Sequence, residues 1–317
     1  MTTNPLHALV VLGTMYFGTR LDDRRSFEVL DRYIELGGQW IDTSNNYSFW
    51  EHESGFGGQS EAVIGRWLRA NQGVAVRIST KVGAQPTHRG GFPDHLEGLQ
   101  SDVVHRSLDA SLERLGVDRV DLYWAHVEDA SVPMRTLVET FGGLQADGRV
   151  GAYGLSNHPS WLFASAREIA KRSGVAGPVA YQQRYSYLQP APGAPVTGQP
   201  LPLGMLSSDG LELLRREVDI TGWVYTSLLL GAYDRDDRPL PDEYRHPGNV
   251  RRMKVLSEIA SERGVQRGQI VLAWLSGAQP GLVPLVGCSD VDQVERAVTG
   301  VQLHLTGEER ARLDAAH

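Results

Sequence analysis

Only one cysteine, Cys288, occurs in the 317 residues. That excludes an intrachain disulfide framework and a cysteine-rich zinc site. No apolar run approaches the ~20 residues that cross a bilayer. The longest candidate, Val224–Tyr233, is short and broken. Basic charge is also in short supply: Lys plus Arg is 31 against 38 Asp plus Glu, a net charge of −7. Nucleic acid is therefore not an expected partner, because neutralising phosphate needs clustered Lys and Arg. The N-terminal stretch MTTNPLHALVVLGTMYFGTR lacks a basic leader and a clear cleavage site, so no secretory signal is expected. With no disulfides, a cytoplasmic location is the expectation. Sequence repeats are absent, and no Gly-x-Gly-x-x-Gly follows any β-prone run. What is present is ordinary for a globular chain: 41% hydrophobic and 22% charged residues. That excludes wholesale disorder and allows a large core without staples.

Short β-prone runs alternate with amphipathic helical stretches. Eight runs read as strands: Leu12–Met15, Gln39–Thr43, Val76–Lys81, Val120–Ala125, Ala152–Leu155, Val179–Gln182, Ile220–Tyr225 and Val283–Val286. Helical spacing is read over Arg24–Leu36, Ser60–Ala70, Leu99–Leu115, Thr136–Gln145, Trp161–Arg172, Val250–Arg263, Val265–Leu275 and Asp290–Val298. Strands alternating with helices imply a parallel sheet, open or closed. Eight of them, with no dinucleotide fingerprint, favour an α/β chain of the (β/α)8 TIM-barrel class. A single domain over 1–317 is expected, with its active site at the C-terminal rim of the strands. Two long loops, 185–209 and 233–249, are candidate lids.

Almost every strand delivers a polar residue to that rim. Lys81 is the least ordinary, since a lysine closing an apolar strand needs a carboxylate partner. Asp42 can be that partner. With Tyr47 and His126 the pair forms a proton-transfer group. A phenol is a poor acid at neutral pH, and a neighbouring ammonium is expected to lower its pKa. Histidine can polarise a carbonyl oxygen or bind the same phenol. The sum is a general acid aimed at a carbonyl, or a structural salt bridge beside an unrelated tyrosine. A hydride must come from a cofactor, since no side chain supplies one.

The segments Leu12-Gly13-Thr14-Met15, Ile41–Tyr47, Ser79-Thr80-Lys81, Asp121–His126, Gly154–Asn157, Tyr225–Leu228 and Val283–Gly287 occur in one order along nearly the whole chain. Together they resemble the aldo-keto reductase family. The resemblance implies an NAD(P)H-dependent oxidoreductase moving a hydride between nicotinamide and an aldehyde, ketone or sugar. It makes Tyr47 the proton donor, tuned by Lys81 and Asp42, with His126 orienting the carbonyl. It assigns Gly13, Thr14, Met15 and Asp42 to cofactor binding, Ser156, Asn157 and Gln182 to the carboxamide of nicotinamide, and Tyr225 to stacking on its ring. Thr226, Leu228, Gly231 and Tyr233 fall in the segment that wraps the pyrophosphate. Gly287, Ser289 and Gln293 fall in the segment at the adenosine end. The family uses no metal.

Some positions depart from the family pattern. Thr226 and Ser227 stand where Ser-Pro is frequent, and Arg296-Ala297 where Glu-Asn is frequent. Asp290 lies where a 2′-phosphate would sit, and like charges repel. NADP(H) remains the expected cofactor, with NAD(H) as the alternative. For the substrate, the aromatic and polar loop holding Phe49 and Trp50, together with Trp124 and His126, suits sugars or aryl carbonyls. Trp124 as barrel core is the competing assignment. Glu61 is expected near the positive end of its helix, where it would also be able to reach the adenine. Two other functions stay open: an NAD-preferring sugar or polyol dehydrogenase, and a nicotinamide-sensing regulatory subunit.

Overall fold

The computed structural model describes residue 6 and residues 9–196 and 204–316. Eight parallel strands close into a barrel in chain order. They are β1 (Val11–Gly13), β2 (Trp40–Asp42), β3 (Arg77–Val82), β4 (Val120–Ala125), β5 (Val150–Ser156), β6 (Ala180–Arg184), β7 (Thr221–Tyr225) and β8 (Leu282–Gly287). β8 pairs back onto β1, with Gly13 opposite Gly287. Each of the eight expected strands is found: β4 matches at both ends, and the others differ by one or two residues at one end or both.

Among the described residues, ten α-helices surround the barrel: α1 (Asp23–Glu35), α2 (Gln59–Ala70), α3 (Ser101–Leu115), α4 (Met134–Ala146), α5 (Ser160–Ser173), α6 (Ser208–Arg216), α7 (Pro247–Arg263), α8 (Arg267–Ser276), α9 (Val291–Gln302) and α10 (Gly307–Ala315). Two of these, α6 and α10, lie outside the helical spacing read from the sequence. α6 is a short Gly-Leu-Glu-Leu-Leu run whose leucines fit two periods. α10 is announced by a capping box between Thr306 and Glu309.

The core has two parts. The larger lies between the strands and the helices. The smaller fills the barrel itself, with Val11, Trp40, Leu122, Trp124, Ala180, Trp223 and Val283. Trp40 and Trp124 each sit 5.3 Å from Trp223, ring centre to ring centre. A side chain on Gly154 would put its Cβ 2.4 Å from Trp124 Cζ3, so this glycine makes room for the indole.

Side chains alternate across a strand, so inward positions recur every second residue. Trp40 is followed by Asp42, Trp124 by His126, Gly154 by Ser156, Ala180 by Gln182 and Trp223 by Tyr225. Apolar groups fill the barrel and polar ones cap it on the C-terminal side.

The two long loops are not loose decoration. Tyr233 and Tyr244 are buried. Ala191 N–H donates to the Glu243 carbonyl at 2.7 Å, and Asn249 Nδ2 donates to the Gln189 carbonyl at 2.7 Å. The described parts of both loops are thus tied to each other. Residues 197–203 of the first loop lie outside the described residues.

Candidate active site

Lys81 and Asp42 are both fully buried and form an ion pair. The Lys81 ammonium also donates to the Thr43 carbonyl at 2.7 Å and to the Tyr47 hydroxyl at 3.0 Å. Ser79 Oγ donates to the other Asp42 oxygen at 2.6 Å. Asp42, Ser79 and Lys81 come from adjacent strands, and Tyr47 from the loop after β2. Tyr47 and His126 are half-buried, with ring centres 6.1 Å apart in an edge-to-face arrangement. Asp42, Tyr47, Lys81 and His126 are therefore one cluster.

Burial pushes the Asp42 carboxyl up, against the pull of Lys81. It pushes the Lys81 ammonium down, against the pull of Asp42. Tyr47 is held well above the ordinary phenol value, first by burial and then by the Asp42 charge. The expected lowering by Lys81 is thus outweighed, and the phenol is kept protonated. His126 is held well below the ordinary histidine value, by burial and then by the Lys81 charge, so its ring is neutral at pH 7.

The loop carrying Tyr47 is fixed from its neighbour. Glu97 Oε1 accepts from Asn45 Nδ2 and from Gly83 N–H, both at 2.8 Å. Gly57 packs so closely on this loop that a Cβ there would lie 2.3 Å from the Asn46 carbonyl carbon. Glu97 and Gly57 were not singled out in the sequence. Their roles depend on contacts between loops, for which no local pattern exists.

Ser156, Asn157, Gln182 and Tyr225 are linked on the other side of the barrel mouth. Ser156 Oγ donates to Gln182 Oε1 at 3.2 Å, and Tyr225 donates to Asn157 Oδ1 at 2.6 Å. The Gln182 amide nitrogen is buried without a hydrogen bond, though close enough to Asp42 to favour its charge. Asn157 and Thr226 have φ of 58° and 55°, left-handed values that are costly for a branched residue such as threonine. Such strain clusters at functional sites. Gly287 is exposed at the rim, while Leu228 and Gly231 lie beyond β7.

Other candidates are placed differently. Tyr233 is fully buried, and its hydroxyl lies 2.7 Å from Ser186 Oγ and accepts from Leu188 N–H at 2.9 Å. It ties down a loop and presents no surface to a pyrophosphate. Trp124 is fully buried among the barrel tryptophans and belongs to the core, not to a substrate wall. Thr14 donates to the Asp42 carbonyl at 3.0 Å and lies 2.8 Å from Ser60 Oγ, so its hydroxyl is committed to the protein. The partly buried Met15 lies beside it on the loop, its carbonyl accepting from Ser48 Oγ. Glu61 is buried behind β3, bonded to Thr80 at 2.5 Å and to Arg114 at 2.7 Å, and does not reach outward.

At the end of β8, Gln293 Oε1 accepts from Ser289 N–H at 3.0 Å and Ser289 Oγ at 3.2 Å. Asp290 caps α9 by accepting from Gln293 N–H and Nε2, both at 2.8 Å. Phe49 and Trp50 are joined by Phe92, which sequence reading missed. Its ring centre is 5.1 Å from Phe49, and Trp50 is 5.0 Å from Phe49 on another side. Phe92 and Trp50 are exposed, so these three rings form an aromatic wall on the loops.

Among the described residues, no group of His, Cys, Asp or Glu is arranged to hold a metal. No helix there is long and apolar enough to cross a membrane.

The aldo/keto reductase family model matches residues 9–317. The chain is 30% identical to norsolorinic acid reductase stcV of Emericella nidulans, over 94% of this chain and 75% of that protein. It is 26% identical to the uncharacterized oxidoreductase YrpG of Bacillus subtilis, over 94% and 88%. It is 26% identical to the aryl-alcohol dehydrogenase GME11368 of Pestalotiopsis microspora, over 92% and 72%.

Proposed function

The chain belongs to the aldo/keto reductase family, and from that premise we propose that it reduces a carbonyl group with Tyr47 as the proton donor and a nicotinamide dinucleotide as the hydride source. The observation that carries this reading is the Tyr47 hydroxyl, half-buried and 3.0 Å from a buried ammonium. Burial keeps the phenol protonated, so the proton is present to be given, and the adjacent ammonium favours the phenolate once it has left. When it does, the O–H bond to the substrate forms as the carbonyl π bond breaks. Lys81 then faces the phenolate that remains and stabilises it. Asp42 keeps Lys81 charged. In the oxidative direction the same phenolate is the base.

The nicotinamide dinucleotide supplies or accepts the hydride at the carbonyl carbon when bound. The residues present fit such a group. The unpaired Gln182 amide nitrogen, beside Ser156 and Asn157, suits a carboxamide. Tyr225, steadied by its bond to Asn157, offers a flat face for a ring. The aromatic wall of Phe49, Trp50 and Phe92 supports an aryl carbonyl or alcohol as substrate. The relative named for an aryl alcohol agrees with that choice.

A second reading concerns the cofactor. The NADP(H) expectation meets an acidic loop, because Asp290 caps α9 and Asp292 lies in its first turn. A carboxylate there repels a 2′-phosphate and can accept from a 2′-hydroxyl, which favours NAD(H) and the oxidation of an alcohol or polyol.

The test is Tyr47→Phe. Turnover is expected to fall by about 10²–10⁴-fold, with cofactor binding, read by quenching of the seven tryptophans, unchanged. Unchanged turnover would remove Tyr47 as proton donor. A wild-type protein that binds a cofactor but turns nothing over would point to a regulatory subunit. Titration with NADPH against NADH decides the second reading, tenfold being ~1.4 kcal/mol.

A further inference from the structure

The turn that ends β5 is built at more cost than its shape requires. Asn157 there is left-handed, with φ of 58°, a conformation that glycine adopts without strain. The next residue, His158, is buried. Its Nδ1 lies 2.7 Å from the Ser156 carbonyl. A carbonyl oxygen only accepts, so Nδ1 carries the proton. Burial pushes the pKa of the ring down to about 4, so at pH 7 it is neutral and holds one N–H. Nε2 is therefore a lone pair, and it is buried without a hydrogen-bond partner among the described residues. The His158 carbonyl is held as firmly as the ring. It accepts from the Tyr181 hydroxyl at 2.9 Å and from Gln183 Nε2. With its nitrogen placed there, the Gln183 amide has an oxygen that is also buried and unpartnered among the described residues.

Buried acceptors without partners destabilise a fold. Strained residues persist only where their surroundings over-determine them. What these contacts share is the placement of one side chain. His158 is pinned through its ring to Ser156 and through its carbonyl to β6, and Asn157 lies between. The Asn157 N–H donates to the Gln182 carbonyl at 3.1 Å. Its side chain then spans the barrel mouth: Nδ2 donates to the His126 carbonyl at 2.9 Å, and Oδ1 accepts from the Tyr225 hydroxyl at 2.6 Å. One residue thus joins the ends of four neighbouring strands. His158 itself is 1% exposed and meets no ligand.

We propose that His158 is a positioning residue for the nicotinamide site: its Nδ1–H bond to the Ser156 carbonyl holds Asn157 in the left-handed turn, and through Asn157 it places Ser156 and Tyr225 to receive a nicotinamide. This rests on the barrel mouth taking a nicotinamide dinucleotide. The effect is local. The Ser289–Gln293 segment, expected at the adenosine end, is held by its own bonds around Asp290 and shares none of these contacts. His158 acts on the nicotinamide half of the ligand and leaves the adenosine half alone.

The test is calorimetric titration with two ligands, NADPH against 2′-phospho-ADP-ribose or NADH against ADP-ribose, whichever dinucleotide the wild type binds tighter. The second ligand of each pair keeps the adenosine and the pyrophosphate and lacks the nicotinamide. The ratio of the two dissociation constants therefore reads the nicotinamide half. His158→Phe fills the place of the ring without the N–H. There the preference for the dinucleotide is expected to fall about tenfold, with the affinity for the ADP-ribose within about twofold of the wild type. His158→Gln retains an N–H donor, and its preference is expected to stay within about threefold of the wild type. Tyr181→Phe removes one of the two bonds to the His158 carbonyl and is expected to lower the preference about threefold. It carries the test if His158→Phe does not fold.

A general loosening of the fold weakens both ligands together and leaves their ratio unmoved. A ratio within about twofold of the wild type in His158→Phe, or in Tyr181→Phe where only that variant folds, overturns the proposal. So does a preference in His158→Gln as low as in His158→Phe, which would assign the effect to the shape of the ring. A wild type that binds the dinucleotide no tighter than the ADP-ribose overturns the nicotinamide reading of the mouth, and the proposal with it.

Discussion

Replacing Lys81 by Met removes an ammonium that serves three oxygens: an Asp42 carboxylate oxygen, the Thr43 carbonyl at 2.7 Å and the Tyr47 hydroxyl at 3.0 Å. Neither member of the ion pair has exposed surface. Asp42 keeps the hydrogen bond from Ser79 Oγ at 2.6 Å and the nearby Gln182 amide. Breaking one side of a buried pair leaves an uncompensated charge, at a cost of about 3–5 kcal/mol. Asp42 can reduce that cost by taking a proton, because burial already pushes its carboxyl up. In the variant the folded state then holds this proton to higher pH than the unfolded chain does. The folded state binds more protons, so its stability falls as pH rises above about 4. The double variant Asp42→Asn/Lys81→Met removes both charges and is expected to lie within about 1 kcal/mol of the wild type. Urea denaturation at several pH values measures the wild type, both single variants (Lys81→Met and Asp42→Asn) and the double variant, read at constant m. A Lys81→Met loss under about 1 kcal/mol at pH 7, or a double variant as unstable as the sum of the singles, refutes the buried-pair argument.

His158 is buried, and burial pushes its pKa down to about 4. The unfolded chain therefore binds the proton first, and stability is complete above about pH 6.5 and is lost as pH falls towards the folded value, by about 3 kcal/mol in all. His158→Gln should flatten that part of the stability–pH curve; an unchanged slope would place the acid loss elsewhere. Gly57→Ala pushes a Cβ to 2.3 Å from the Asn46 carbonyl carbon, so the Tyr47 loop must shift and kcat/KM should drop about tenfold or more. Wild-type kinetics in that variant would show that the loop position does not matter. Thr306→Ala breaks the capping box of α10, where Thr306 Oγ1 accepts from Glu309 N–H at 3.2 Å. Thermal unfolding should show a loss of about 1 kcal/mol, and no change would mean that α10 is held by packing alone.

The barrel was legible because its signal is local. Strand alternation lies within four to six residues, and it marks Trp40, Asp42, Lys81, Trp124 and His126 as facing one way. The pairing of Lys81 with Asp42 was legible for a different reason. A lysine in an apolar strand has few tolerable surroundings, and a carboxylate on the neighbouring strand, here opposite Ser79 and two residues short of Lys81, is one of them. The helices were legible where one face was apolar over three turns, and illegible in the nine-residue α6 and α10.

The sequence by itself determined the strand count, the inward-facing set and the chemistry carried to the rim. Tertiary structure decided height and direction. Trp124 and His126 face the same way, yet one lies in the barrel core and the other at its mouth, because two residues of strand rise, about 7 Å, carry the chain from one layer to the next. Tyr233 sits in a segment that suggested ligand contact, but a loop more than forty residues earlier captures its hydroxyl. Phe92 joined the aromatic wall only when two loops met. The net shift of Tyr47 depended on how much water the fold removed, which no neighbour list in the sequence contains. Sterics along a strand act between adjacent residues and can be read in order. Burial and hydrogen-bond partnership act between residues far apart in the chain, and they exist only once the barrel has closed.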